Sequence, residues 1–372
     1  MTIPMQIQPG HIMKRSFYTT WLIAALCLLL APSAFAQTNI PSPDSEVPTD
    51  KRAQTGFKFL STSVDARASG MGGAVTSAPM ASSNALFYNP AGMSRMTSDF
   101  SASAGTIDYL VDINYNYASA AYRPSGGNYG VFGISFVNVD YGDFFETVRA
   151  SNEAGFVEVG TYSPTALAVG LGYARSFTDR FSMGAQVKYA LQDLGSFAVS
   201  RTESGTSLPD GTNASYRDYS INTMAVDFGV LYNTGFESLT IAMSTRNFSQ
   251  ELIYERERFE LPLTFQIGMS MNVMDLTSMD PNMHALHVSV DAQRPRDFAE
   301  HLKVGAEYTL MNLISVRGGL GTAFVGDDSE EGFSFGAGIS HEFSGIGFGA
   351  DYAYTDFGLF GELQRIGLQV SL

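Results

Sequence analysis

Eight charged side chains are the residues of this sequence whose types and spacing could do chemistry. Each falls on the polar face of an alternating segment; they are Lys188, Asp227, Asp291, Lys303, Glu307, Arg317, Asp351 and Arg365. Two carboxylates such as Asp227 and Asp291 can act as general acid and base. Neither has a histidine, serine or metal ligand at a useful spacing, so we do not predict an enzyme. An unpaired buried charge is costly, which favours paired charges lining a narrow interior over a specific ligand site.

A nearly uncharged segment, Arg67 to Met96, is the second candidate. Its run Gly70-Met71-Gly72-Gly73 is glycine-rich like a phosphate-binding loop, but it follows no strand and lacks the lysine of such loops. Small residues permit close backbone packing, and a proline fixes φ. We predict that this segment is a hatch, that is, a plug packed inside a surrounding wall of strands. The proline motif is either an ordinary turn or a fixed bend that seats the hatch against that wall. The predicted hatch motif comprises Gly70, Gly72, Gly73, Asn89, Pro90, Ala91 and Gly92.

The N-terminus has the features of a secretory signal. Lys14 and Arg15 precede an apolar run over 20–30, and Ala34-Phe35-Ala36 is a typical cleavage pattern, so residues 1–36 are predicted to be a signal peptide, with Met1 or Met13 as the start. Its removal would leave no cysteine, no tryptophan and a net charge of −17, against −15 for the whole chain. This excludes thiol chemistry and disulfides and argues against a nucleic-acid partner. The scattered histidines suggest no metal site, and no cofactor is predicted.

The elements that must position these residues are strands. Beyond a Pro- and acid-rich leader (37–54) and the hatch (55–98), the chain alternates apolar and polar residues, as in Phe181 to Tyr189. Fourteen segments of about 9–12 residues fit tilted transmembrane strands. They are 99–110, 113–123, 129–139, 163–176, 181–193, 220–232, 239–246, 263–273, 284–292, 302–310, 313–322, 332–342, 346–355 and 362–372.

Short and long connections alternate between these segments, as outer-membrane barrels require. We therefore predict an all-β fold, a closed antiparallel transmembrane barrel over 99–372 that contacts outer-membrane lipid and holds the N-terminal hatch. The long outer loops would be 140–162, 194–219, 247–262 and 293–301, with a short amphipathic helix over Glu251 to Glu260. Apolar residues in these loops would pack together or dock a partner. The candidates are Phe144, Phe145, Leu252, Ile253 and Phe298.

The order of motifs resembles that of a known family. Gly70-Met-Gly-Gly stands before Asn89-Pro-Ala-Gly-Met, followed by Tyr173 to Arg180, Asp227-Phe-Gly229, Leu261-Pro262 and Gly305-Ala-Glu-Tyr308. This series is similar to the PorV/PorQ family of outer-membrane barrels, relatives of the FadL fatty-acid channels.

The resemblance implies two functions. PorV-type members serve type IX protein secretion, so the outer loops would bind secretion-system proteins or exported substrate domains. FadL-type members pass hydrophobic small molecules, so the hatch would instead gate a lateral opening near a kinked strand. A purely structural barrel is the third alternative.

Overall fold

The computed structural model describes residues 55–149, 152–199, 215–254, 257–280, 283–323 and 332–372. The predicted signal peptide and leader lie outside these residues. None of the helices in the described ranges has the length and apolar content needed to cross a bilayer.

Fourteen antiparallel strands form a closed barrel, and each of the fourteen predicted segments is one of them. Its first strand pairs with its last, with Ser101 opposite Ser371. The strands are β1 (Phe100–Asp108), β2 (Asn114–Tyr122), β3 (Val131–Asp140), β4 (Phe144–Arg149), β5 (Phe156–Tyr162), β6 (Thr165–Ser176), β7 (Phe181–Val199), β8 (Ser215–Asn233), β9 (Thr240–Phe248), β10 (Leu252–Tyr254), β11 (Glu257–Phe259), β12 (Thr264–Asn272), β13 (His284–Pro295), β14 (His301–Leu310), β15 (Ile314–Ala323), β16 (Phe333–Phe343), β17 (Ile346–Asp356) and β18 (Glu362–Ser371). Fourteen of these eighteen strands form the barrel, and the other four form two separate two-stranded sheets in the outer loops, β4 with β5 and β10 with β11.

Alternation along the strands gives the barrel two different faces. On β7, Ser182 and Gln186 are buried inside, while Val187 and Tyr189 are 45% and 41% exposed on the outside. The other strands repeat the pattern, so the outer surface presents an apolar face to lipid. The prediction of a closed transmembrane barrel of the bacterial outer membrane is confirmed.

Residues 55–98 fill the barrel as a hatch, made largely of small and buried side chains. The hatch begins at the outer rim, where Thr55 bridges to Glu260, and ends where the Asp99 amide donates to the Leu372 carbonyl. Its helices are α1 (Ala66–Gly70) and the 3₁₀ turns Lys58–Ser61, Ser83–Phe87 and Pro90–Arg95; further 3₁₀ turns in the connections are Leu110–Asp112, Pro124–Gly127, Val273–Leu276 and Gly358–Phe360.

Two predictions about the outer loops are wrong. In place of the predicted helix over 251–260, residues 252–254 and 257–259 form two paired strands, with Leu252 opposite Phe259. The Phe57 ring of the hatch stacks on Phe259, with 6.4 Å between centroids. Strands β7 and β8 also extend into the predicted loop 194–219, with Ser196 opposite Asp218.

Candidate functional site

The Gly-Met-Gly-Gly run of the hatch lies against a pair of wall glycines. Gly305 and Gly319 face each other on β14 and β15, and a Cβ on either would overlap the backbone of Met71. Gly72 has φ +63° and approaches Gly319 just as closely, so both its conformation and its position require glycine. Gly70 approaches Gly336 of β16 in the same way, and Gly73 lies against Lys303.

The Asn-Pro-Ala-Gly motif lies on a second pair of wall glycines, Gly184 of β7 and Gly229 of β8, which also face each other. A Cβ on Gly184 would overlap the Pro90–Ala91 peptide, and one on Gly229 would overlap the Asn89 side chain. Asn89 accepts from the Ala91 amide at 3.1 Å. It donates to the Thr76 and Val230 carbonyls at 2.9 and 3.2 Å.

The motif thus packs on both wall glycines, while its role as a fixed bend that seats the hatch stays a prediction. In the same turn, a Cβ on Gly92 would come within 3.0 Å of the Met80 carbonyl oxygen.

A buried charge network ties the hatch to the wall. Arg67 of α1 donates to both oxygens of Glu307 on β14, Nε to Oε2 at 2.9 Å and Nη2 to Oε1 at 2.7 Å. Arg317 on β15 donates to the same Glu307 at 2.5 Å and to Asp351 on β17 at 2.6 Å. Bidentate Arg–carboxylate pairs are strong and directional. Three predicted interior charges therefore meet here, with Arg67 as a fourth member that the sequence analysis missed.

A second polar cluster lies at a bulge in the wall. The register of β8 against β9 shifts between Val226 and Phe228, which leaves Asp227 in the bulge. Lys188 Nζ lies 2.8 Å from Asp227, and Asp227 accepts from the Asn247 amide at 2.7 Å. Asn247 has φ +60° and donates to the Leu60 carbonyl of the hatch at 3.3 Å. This cluster therefore holds the outer part of the hatch.

The remaining predicted interior charges also lie inside the barrel. Arg365 donates to the Ser63 carbonyl at 3.0 Å and to Thr355. Asp291 accepts from the Thr76 amide at 2.8 Å, and Lys303 lies opposite it on β14. Strands β12 and β9 separate Asp291 from Asp227, so the structure does not bring the two carboxylates together as an acid–base pair. Within the described ranges, no three His, Cys, Asp or Glu residues cluster to hold a metal.

Asp65 of the hatch caps α1 from inside the barrel. Its carboxylate accepts from the Ala68 amide at 3.0 Å and from Asn84 Nδ2 at 2.7 Å. Burial, and after it the Asp351 carboxylate, raises the pKa of Asp65 from 3.8 to about 6. Protonation of Asp65 is thus more favourable in the folded state than in the unfolded state.

The stability of the folded barrel should therefore depend on pH through Asp65. A raised pKa contributes stability below about pH 4 that is lost as pH rises through about 6. We expect that loss to reach about 3 kcal/mol and to be absent in Asp65→Asn. Urea midpoints, read from the gel mobility of folded and unfolded barrel, would measure it. Parallel pH profiles for the two proteins would contradict the assignment to Asp65.

A cavity of about 390 Å³ opens between the hatch and the outer rim. The hatch residues Phe59 and Thr62 line it from below, and two of its rings, Tyr109 and Tyr115, pack 5.2 Å apart. Eight of its lining residues are aromatic or apolar: Phe59, Tyr109, Ile113, Tyr115, Tyr141, Pro295, Phe298 and Phe357. Polar and charged side chains, among them Lys58, Asp297, His301 and Lys303, line the rest of it. Most of these residues were not singled out from the sequence, although its many Tyr and Phe residues were an available signal.

Two cavities lie on the other side of the hatch, toward the periplasmic turns. One, of about 430 Å³, is bordered by the charge network of Arg67, Glu307 and Arg317. The other, of about 310 Å³, lies beside hatch residues Ser77 to Ala81, and His287 borders both. The outer cavity is thus rich in aromatic rings, and the larger inner cavity is mainly polar.

The five predicted docking residues do not form one surface. Phe145 and Ile253 are 71% and 61% exposed. Leu252 packs against the barrel core, and Phe298 borders the outer cavity with Lys58 over its ring. Phe144 stacks on Tyr162, 5.6 Å between centroids.

No protein-family model and no curated protein matches this chain. Solved structures that are similar to this chain over most of their own length include the following three. The toluene transporter TbuX of Ralstonia pickettii has a TM-score of 0.52 and 15% identity, covering 84% of this chain and 97% of its own. The deltaS2S3 mutant of TodX, a monoaromatic hydrocarbon channel, has a TM-score of 0.54 and 12% identity, covering 82% and 97%. The monoaromatic hydrocarbon channel CymD has a TM-score of 0.51 and 12% identity, covering 83% and 96%.

The chain has the fold of these outer-membrane barrels. At these identities the likeness concerns the fold, and the PorV/PorQ assignment stays a prediction from the motifs. The hatch separates the outer cavity, with its aromatic rings, from the two inner cavities, of which the larger is polar.

Proposed function

We propose that this protein is a channel that takes up small hydrophobic molecules through the outer membrane, with the hatch as its gate. One observation carries the proposal: an aromatic cavity of about 390 Å³ faces the outer rim and has the hatch below it. Pockets for small ligands are typically concave, mainly apolar and of about 300–1,000 Å³. The names of the structural neighbours, a toluene transporter and monoaromatic hydrocarbon channels, support the same class of cargo.

The exit route is a narrower part of the proposal. The FadL resemblance predicted a lateral gap near a kinked strand, yet all fourteen neighbouring strand pairs are hydrogen-bonded in the described residues. The irregularity at Asp227 is a bulge within the β8–β9 ladder, filled by Lys188 and Asn247. A lateral exit would therefore require this bulge to open.

The type IX secretion role is carried by the motif resemblance alone. It needs a docking surface on the outer loops, and the exposed Phe145 and Ile253 are the residues that best fit one. Uptake of hydrophobic molecules is favoured because the outer cavity supplies a binding site of the appropriate size and chemistry.

A substitution that fills the outer cavity would test the proposal. Gly321 borders this cavity, and a Cβ there would meet only Lys303 Cγ, at 3.8 Å. Gly321→Trp should therefore fold but occupy the cavity. We expect uptake of radiolabelled toluene, by Gram-negative cells with this protein as the one added channel, to fall to the empty-vector rate.

The matched control is Gly318→Trp, three residues earlier on β15, where an added Cβ meets nothing within 4 Å. Its ring would lie on the lipid face, and uptake should match that of the native protein. Native uptake no faster than empty-vector uptake would contradict the proposed function, and so would unchanged uptake in Gly321→Trp.

A further inference from the structure

A line of polar side chains joins the outer cavity to the inner ones along β13. Gln293 borders the outer cavity and His287 borders both inner cavities. Asp291 and Ser289 lie between them on the same inward face, both completely buried. Hatch residues lie against this line: the Thr76 amide donates to Asp291, and Ser77 borders an inner cavity. We name this contact between β13 and hatch residues 76–77 the β13 seam.

Buried polar atoms without hydrogen bonds concentrate in the seam. Eight such side-chain atoms occur in the described residues, and five belong to the seam. The five are Thr76 Oγ1, Ser77 Oγ, Ser289 Oγ, Asp291 Oδ1 and Gln293 Oε1. An unsatisfied buried polar atom is costly and rare in native structures, so five along one line require a physical reason.

The hatch backbone beside the seam is also its irregular part. Residues 74–80 contain neither helix nor strand and connect α1 to the 3₁₀ turn Ser83–Phe87. They are held by separate hydrogen bonds rather than by an ion pair, among them Ser270 Oγ to the Ser77 carbonyl at 2.7 Å and Asn89 Nδ2 to the Thr76 carbonyl at 2.9 Å. By contrast, α1 is held by the bidentate Arg67–Glu307 pair, and Pro90 lies against Gly184. Passage of a molecule along the seam would require residues 74–80, most of which are buried, to shift away from β13.

We propose that cargo crosses the hatch along the β13 seam, and that this cargo is an apolar molecule with a neutral hydrogen-bond donor, such as a phenol or an alcohol. The inference rests on the proposed function and narrows its substrate class. The unsatisfied atoms are acceptors or hydroxyls, so a donor on the cargo satisfies them in turn as it passes. Asp291 and Lys303 face each other, so the seam carries no excess positive charge to attract a carboxylate.

Access of a small thiol reagent tests the seam without reference to any cargo. Ser289 and Ser103 are both buried interior serines, but the Ser103 hydroxyl has a partner in Ser83 at 3.3 Å. The chain's one cysteine, Cys27, lies in the predicted signal peptide. We expect 2-aminoethyl methanethiosulfonate to modify Ser289→Cys at least about tenfold faster than Ser103→Cys in the folded barrel. Equal rates would overturn the proposal.

A variant without the unsatisfied hydroxyls tests whether the seam is a path for cargo or only a packing defect. In Ser77→Ala with Ser289→Ala, the urea midpoint should rise because two unsatisfied groups are gone. Uptake of radiolabelled 4-methylphenol should fall about tenfold while toluene uptake changes little, because a site built for a donor loses its discrimination. Ser103→Ala is the control for both measurements.

The outcomes separate the two proposals. A raised midpoint with unchanged 4-methylphenol uptake would overturn the seam and leave the channel function standing. If native uptake of both compounds equals that of empty-vector cells, the channel function itself fails.

Discussion

Gly319→Ala is expected to displace the hatch and to destabilise the folded protein by about 3 kcal/mol. The added Cβ would overlap the backbone of Met71 and Gly72. Backbone atoms cannot rotate away as a flexible side chain does, so the hatch segment must shift as a unit. Because Gly72 also occupies a left-handed conformation, it has little freedom to adapt.

The measurements are the urea midpoint of the barrel and its conductance in planar bilayers, which should rise when the hatch moves. Gly318→Ala is a matched control on the adjacent residue, since a Cβ there meets nothing within 4 Å. If both variants behave like the native protein, the close approach of hatch and wall at Gly319 is not required for closure.

Glu307→Gln should have an effect of similar or greater size. The substitution leaves Arg67 and Arg317 without the carboxylate that both contact, and the Arg317 side chain is only 5% exposed. Arg317 keeps its contact with Asp351, so Arg67 is the charge left uncompensated, and removal of one member of a buried ion pair typically costs about 3–5 kcal/mol. Protease cleavage of the hatch at Arg67 should accelerate as α1 detaches.

Two further variants test whether the lost ion pair causes the loss of stability in Glu307→Gln. Glu251→Gln breaks the exposed Arg258–Glu251 pair on the β10–β11 hairpin and should change stability by about 1 kcal/mol or less. Adding Arg67→Gln to Glu307→Gln should restore part of the lost stability, since one uncompensated charge is removed. A double variant less stable than Glu307→Gln would show that the Arg67 side chain stabilises the hatch by another contact.

The interior charges show how far sequence reasoning reached. Parity along a strand is enough to place Glu307 and Arg317 on one face, and adjacent strands made their pairing predictable. The contact between Arg317 and Asp351 was not predictable in the same way, because the two residues lie on strands β15 and β17, which are not neighbours. Arg67 was missed because nothing in a segment of small residues indicates which way its side chain points.

The outer loops show the opposite case. The charged, periodic segment 251–260 was predicted to be a helix, but it forms a hairpin against Phe57 of the hatch. Local periodicity over ten residues is a weak signal, and a partner distant in sequence decided the outcome. For the same reason, Leu252 packs inward and Phe298 borders a cavity, so neither presents the outward surface expected of it.

The sequence by itself determined the barrel, its fourteen strands and the hatch, because a two-residue period between lipid and interior leaves a strand one orientation. Only the tertiary structure decided where the hatch touches the wall, which charges meet, and that an aromatic cavity lies above a polar seam. Those features depend on contacts between residues up to three hundred positions apart, such as Arg365 with Ser63, and no local pattern encodes them.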